Sequence, residues 1–330
     1  MYTEIIIFTL ISFSILLSIS IYSYKLDLVD RPNKRKLHSK PTAFTGGIAL
    51  SFAYIISIKL FDIQSYELNL IISTALLVAI VGTIDDKYYL NIGGKLSLQI
   101  IPVIYLIMIE NLNLKQIGNY NSFELSLNTF AVPFTLLAVL LLMNSFNYFD
   151  GLDGTLSFTS ITVLIILYYL TPNEDFKFFL IIIFIPLVVF VLFNFSTLNL
   201  PKLFLGDGGS LLLGFLIAFF LIHTANQKLV HPILLAWSIV IFVYEFLSIN
   251  ILRIINRKKI FKAGLDHLHH ISYKKTKSIF FTNLFISFLN LTLFIIGYIS
   301  FNIISPLVSL FLFIILFIIF FIVRKKYLKN

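Results

Sequence analysis

Asp85 and Asp86 stand side by side at the end of the apolar run 68–84. Carboxylates at the ends of membrane-length segments are costly and are usually kept for function. Two adjacent ones repel unless a cation lies close by. Here Lys87 follows directly, and Lys95 and Gln99 open the next apolar run. The placement recurs: Asn144, Asn147, Asp150 and Asp153 follow the run 127–143, and Gly206-Asp207-Gly208-Gly209-Ser210 opens another. The spacing i, i+3, i+6 sets Asn144, Asn147 and Asp150 near one face of a helix end. A Gly-rich turn that opens a helix offers main-chain N–H groups and a positive dipole end to phosphate. An Asp in such a turn can bind Mg2+, which takes one or two carboxylates plus waters and substrate phosphates. Simple turns compete with this chemistry: Asp153 has the right place to cap the following helix, and a GDGGS string alone is a common helix start. What the three clusters share is metal and phosphate handling.

A fourth cluster, Asp266-His267-Leu268-His269-His270, lies in the most basic loop. Three His and an Asp in five residues resemble a zinc pattern, but the other clusters are rich in oxygen and favour Mg2+, with Mn2+ as the alternative. The His residues then serve as contacts to phosphate or sugar. The loop 25–47 carries Asp30, Arg31, Pro32, Lys34, Arg35, Lys36 and His38. Basic juxtamembrane loops of this kind also set topology or touch anionic lipid.

The elements that must position these residues are membrane helices. The 330 residues are 58% hydrophobic and 12% charged, and mean hydropathy is +0.95; a soluble domain would be about a quarter charged. The apolar stretches are continuous and do not alternate, which excludes a barrel. Eleven spans are expected, near 4–24, 46–61, 68–84, 95–110, 127–146, 155–171, 176–193, 209–225, 232–252, 279–300 and 302–323. Of the 25 basic residues, all but Lys59, Lys115, Lys177 and Lys228 fall in connections on one side, together with every acidic cluster. By the positive-inside rule that side is cytoplasmic. The expectation is therefore an all-α polytopic bundle, residues 1–330 forming one domain, with the N-terminus outside and the C-terminus inside. The segment 111–126 reads as an external hairpin or interfacial piece. The first run lacks a basic leader and a cleavage site and reads as a retained helix. Cys is absent, so disulfides and thiolate metal sites are excluded.

In order, these motifs resemble the polyprenyl-phosphate N-acetylhexosamine-1-phosphate transferases. That family includes the undecaprenyl-phosphate GlcNAc-1-phosphate transferases and, more distantly, the phospho-MurNAc-pentapeptide translocase. The matching pieces span about 25–275: Asp30 to His38, Gly82-x-x-Asp85-Asp86 with Lys95-Leu96-x-x-Gln99, Asn144 to Gly154, Phe204 to Ser210, and His267 to His270. The resemblance implies that a polyprenyl phosphate attacks the β-phosphorus of a UDP-N-acetylhexosamine and releases UMP. The product would initiate O-antigen, teichoic acid or capsule assembly at the inner (cytoplasmic) membrane of a bacterium. It further implies Asp85, Asp86 and Asp207 as catalytic residues, with Asp207 and Asn147 at the metal. Lys95, Asn144, Asn147, Asp150, Asp153, Arg35, His38, His267, His269 and His270 would hold substrate. The expected partners are UDP-N-acetylhexosamine, undecaprenyl phosphate and the lipid bilayer. No nucleic acid is expected, and a homodimer is compatible.

The sequence departs from the family pattern in places. Ala43-Phe44-Thr45 precede Gly46 where Pro-Arg is common. Glu245 stands near a usual Asp, without the preceding Pro. Leu265 stands where an Arg often precedes H-x-H-H. These departures bear on the sugar, which leaves FucNAc, QuiNAc or MurNAc-pentapeptide donors as alternatives to GlcNAc. A different class, an ion-coupled transporter, would place its acids near the bilayer midplane at broken helices, whereas here they gather at one face.

Overall fold

The computed structural model describes residues 2–32, 40–120, 123–258, 264 and 266–327. Among these the chain is helical almost throughout. In order come α1 (Tyr2–Lys25), α2 (Gly46–Leu60), α3 (Tyr66–Tyr88), α4 (Ile92–Ile104), α5 (Ala131–Phe149), α6 (Thr155–Leu170) and α7 (Glu174–Asn194). They are followed by α8 (Gly206–Asn226), α9 (Pro232–Ser238), α10 (Val240–Ile255), α11 (Leu268–Thr276), α12 (Ile279–Ile303) and α13 (Pro306–Tyr327). Among the described residues eight helical segments are long and apolar enough to cross a bilayer alone, α9 and α10 pass that test only together, as a bent pair, and α2 and α6 are shorter apolar helices. These correspond one for one to the eleven expected spans. α11 is too short and polar to be another.

The bundle is organised around α8, 94% of whose apolar window is buried. A helix apolar all round belongs inside, and α8 carries Leu211, Leu212, Leu213, Phe215 and Leu216 in succession, all buried. It packs chiefly on α3 and α5. Gly82 makes the α3 contact possible, because a Cβ there would lie 2.5 Å from the main-chain oxygen of Asp207. The segment leading into α8 is zipped to the start of α2. Phe204 N donates to Ala43 O at 2.8 Å, and Gly46 N and Gly47 N donate to Phe204 O and Leu205 O at 3.0 Å. The ends of α3, α5 and α8 that bear the acidic clusters therefore meet at one end of the bundle.

At the other end, Glu67 of α3 meets His223 of α8 at 2.7 Å. Residues Gln116–Asn119 (β1) and Glu124–Ser126 (β2) pair there as an antiparallel hairpin, held to the bundle by Asn226 Nδ2 donating to Asn113 O at 2.9 Å. The hairpin read from the composition of 111–126 is present.

One expectation needs correction. The span 232–252 is not one helix: α9 and α10 meet at Ile239 with a bend of 73°. Neither Gly nor Pro causes it. The polar groups freed by the break are satisfied by Asn290 of α12, which accepts from Ile241 N at 3.2 Å and donates to Ser238 O at 2.9 Å. Broken backbone in an apolar setting survives only with such partners. Asn290→Ala leaves both groups unpaired, at about 1–3 kcal/mol each. The expected outcome is a lower thermal unfolding midpoint in detergent, followed through Trp237, with Asn302→Ala, an exposed position on the same helix, unchanged. Equal midpoints for both variants would show that Asn290 does not hold the break.

Candidate functional site

Four elements supply the centre of the site. α3 ends with Asp85 and Asp86, α4 begins with Lys95 in its first turn, α5 brings Asn144 and Asn147, and α8 begins with Asp207. Lys95 Nζ lies 2.7 Å from Asp85 Oδ2, forms an ion pair with Asp207, and reaches Asn147 Oδ1 at 3.5 Å. Asp85 and Asp207 thus share one ammonium. Asn147 Nδ2 donates to Asp207 Oδ1 at 2.7 Å and to Ser210 Oγ at 3.0 Å. The Asp207 side chain keeps 30% of its surface open. Asn144 is buried and donates to Gln99 Oε1 at 2.9 Å, which positions α4 against α5 and keeps Asn144 from facing the open centre.

Asp85 and Asp86, equivalent in the sequence, part company here. Asp86 Oδ2 accepts the main-chain N–H of Asp207 at 2.7 Å. It therefore caps α8, taking a donor that the Gly-rich turn offers to phosphate, and Gly206 makes the turn with φ +71°. Asp85 instead points its Oδ2 at Lys95, while Oδ1 accepts from Leu90 N at 2.9 Å. Asp86 thus ties α3 to α8, and Asp85 belongs to the charged centre.

Asp150 follows the last turn of α5. Burial, and then the charges of Asp207 and Asp153, push its carboxyl up to about 8. Asp153 does not cap α6. That helix begins at Gly154 without a side-chain cap, and Asp153 pairs with Lys202 at 2.6 Å. Asn283 of α12 donates to Asp153 O at 2.8 Å, fixing the same turn.

The His segment packs on this turn. His269 lies over Gly151, where a Cβ would stand 2.1 Å from its Nε2. His267 meets the Tyr148 ring edge-on at 5.2 Å, and His269 and His270 are 4.2 Å apart. Burial, with His270 and His267 as neighbours, holds His269 well below the usual imidazole range. Burial, with His267 and Lys274, lowers His270 as well. Among the described residues neither ring nitrogen of His269 has a hydrogen-bond partner. Burial raises Asp266, but the hydrogen bond and charge of Arg253 outweigh it and hold the carboxyl low.

The structure thus gathers Asp85, Asp86, Lys95, Asn144, Asn147, Asp150, Asp153, Asp207, His267, His269 and His270 at one end of the bundle. Arg35 and His38 lie outside the described residues. Two residues of this region escaped the sequence reading as site residues: Lys202 and Asn283. Asn283 and Asn290 did leave a signal, since polar residues seven apart in an apolar span mark one buried face. Among the described residues no three of His, Asp and Glu converge as a ready-made metal cage. The hard oxygens of Asp207, Asp85 and Asn147 nonetheless fit Mg2+, which draws its remaining ligands from water and phosphate.

The comparisons with known proteins run through these same elements. Residues 68–225, from α3 to α8, match the model of glycosyl transferase family 4. A protein of Yersinia pestis named undecaprenyl-phosphate alpha-N-acetylglucosaminyl 1-phosphate transferase is 27% identical over 278 residues, covering 82% of this chain and 76% of its own. Proteins with the same name from Escherichia coli K12 and Salmonella typhi are 27% and 26% identical, each covering 75% of this chain and 69% of its own. The chain is similar to each of them across the helices that carry Asp85, Lys95, Asn147 and Asp207.

Proposed function

We propose that the chain transfers an N-acetylhexosamine 1-phosphate, GlcNAc 1-phosphate by default, from a UDP-sugar to undecaprenyl phosphate and releases UMP. The observation that carries this reading is Lys95 bridging Asp85 and Asp207 beside Asn147, where the ends of α3, α4, α5 and α8 meet. The names of the relatives support the lipid acceptor and the sugar.

In the transfer, an oxygen of the lipid phosphate bonds to the β-phosphorus of the donor, and the bond from that phosphorus to the bridging oxygen breaks. The electron pair leaves with UMP. Phosphoryl transfer of this kind depends on positioning and charge neutralisation. Lys95 supplies a fixed positive charge to the reacting phosphates. Asp85 orients the lipid phosphate and takes its remaining proton where it has one; with a second phosphate pKa near 6 the nucleophile is mostly ionised already. Asp207, with Asn147 and Asp85 beside it, would hold Mg2+, which neutralises the diphosphate when bound. The His267–His270 segment contacts the donor's phosphate or sugar, with His269 packed against the Asp150–Asp153 turn beneath it. The site faces the cytoplasm across the inner membrane, by the distribution of Lys and Arg.

Purified protein with undecaprenyl phosphate, Mg2+ and UDP-GlcNAc is expected to release UMP, and EDTA to stop it until Mg2+ is restored. Asp207→Asn should lower turnover more than about a hundredfold, since even outer-shell partners of metal ligands cost 10–100-fold. No release with any UDP-sugar would sink the reading. Asp85→Asn and Asp86→Ala should separate: the first loses turnover with its thermal midpoint kept, and the second, which removes the cap on α8, loses stability of about 1 kcal/mol. The absence of Cys allows a clean test of orientation. Exposed Lys115→Cys should react with an impermeant maleimide on intact cells, and exposed Lys274→Cys only after the membrane is opened; the reverse result would invert the topology.

A further inference from the structure

The last span, α13, is the least buried, with only 6% of its apolar window covered. Yet it ends in a buried charge. Arg324 is 4% exposed and pairs with Glu245 of α10, which is fully buried. Arg324 Nη1 binds Glu245 Oε2 and reaches Ser248 Oγ at 3.2 Å; Nη2 donates to Glu245 Oε1 at 2.9 Å and to the main-chain oxygen of Asp266 at 2.6 Å. Glu245 Oε1 in turn accepts Leu268 N at 3.0 Å and lies 3.4 Å from His267 Nδ1. Arg253, also on α10, holds the Asp266 carboxylate through Nη2 at 2.9 Å and Nε at 3.3 Å. The turn entering the His segment is thus gripped on both sides of His267, at the oxygen of residue 266 and the nitrogen of residue 268.

A buried ion pair is a poor source of stability, since desolvation offsets most of its attraction. Its value here lies in what it holds. Among the described residues His269 has no hydrogen-bond partner to orient it. Its place over Gly151, next to Asp150, therefore depends on the main chain that carries it. That main chain is fixed by a guanidinium from the last span.

We propose that Arg324 and Glu245 are positioning residues for the transfer: α13 sets the height and rotation of His267–His270 over the Asp150–Asp153 turn, where the segment meets the donor. The inference rests on the proposed transferase activity for its kinetic part only. Lys cannot reproduce the forked geometry of Arg, so Arg324→Lys keeps the charge and loosens the grip. The expected result is a KM for the UDP-sugar raised about tenfold or more, with kcat within about twofold and the KM for undecaprenyl phosphate unchanged. The thermal midpoint should stay near that of the wild type. Glu245→Asp, which keeps the charge on a shorter stem, serves the same comparison and should shift the donor KM in the same direction.

Hydrogen exchange supplies a readout that needs no activity. Amides of residues 266–276 should exchange faster in Arg324→Lys, while those of α3, α5 and α8 do not change. If the wild-type protein released no UMP, the function would fall and the clamp would still be tested by exchange. Unchanged exchange over 266–276 would overturn the clamp. So would equal rises in both KM values with a lowered thermal midpoint, because that is what a merely structural ion pair would give.

Discussion

One ammonium group carries the electrostatics of the site. Lys95 lies between Asp85 and Asp207, two carboxyls that approach each other closely at the edge of an apolar bundle. Without a cation there, both could not ionise together, and the ends of α3 and α8 would be driven apart. Lys95 comes from α4, so the start of that helix must be held in place as well, and the buried Gln99–Asn144 hydrogen bond one turn further on does this. Asp86 completes the arrangement by capping α8, whose first turn carries Asp207. The charged centre and the packing of α3, α4, α5 and α8 are two aspects of one set of contacts.

The bundle around it is held by polar groups set in apolar helices. Lipid is as apolar as Leu, so membrane helices associate through close packing and hydrogen bonds. Gly82 lets α3 approach α8, Ser145 Oγ donates to Phe242 O at 2.7 Å, and Trp237 Nε1 donates to Ser309 Oγ at 2.9 Å. Asn290 bridges the break between α9 and α10. The break turns α10 so that Glu245 and Arg253 face the His segment. One buried amide is therefore linked, through a bend, to the placement of residues far from it in the chain.

Much of this was legible in the sequence. The eleven expected spans follow from long apolar runs, because lipid demands them; eight return as helices long enough to cross, two as shorter apolar helices and one as the bent pair α9 and α10. The three acidic clusters and the His segment were expected to converge because they fell on one side, and they do. What the sequence withheld was pairing. Asp85 and Asp86 look alike as neighbours on a helix, and only the approach of α8 separates a cap from a charged centre. Asp153 has the right type and place for an N-cap, but Lys202, far along the chain, claims its carboxylate. Arg324 reads as one more basic residue after a span, a topology signal, until Glu245 is seen opposite it. The break at Ile239 has no Gly or Pro to announce it.

The Lys95 arrangement also bears on how a resting site becomes a reacting one. In the resting molecule the ammonium is spent on Asp85 and Asp207. On the proposed reading, a donor diphosphate brings negative charge of its own, and Mg2+ with it would compete for the same carboxylates. Lys95, on a flexible stem with three donors, can then turn from carboxylate to phosphate without the helices moving. Asp207 would be released to the metal and Asp85 to the lipid phosphate. A site built this way gives its carboxylates a compensating charge before the donor arrives and its phosphates one after. That is a strong requirement for acidic groups placed where a bilayer begins.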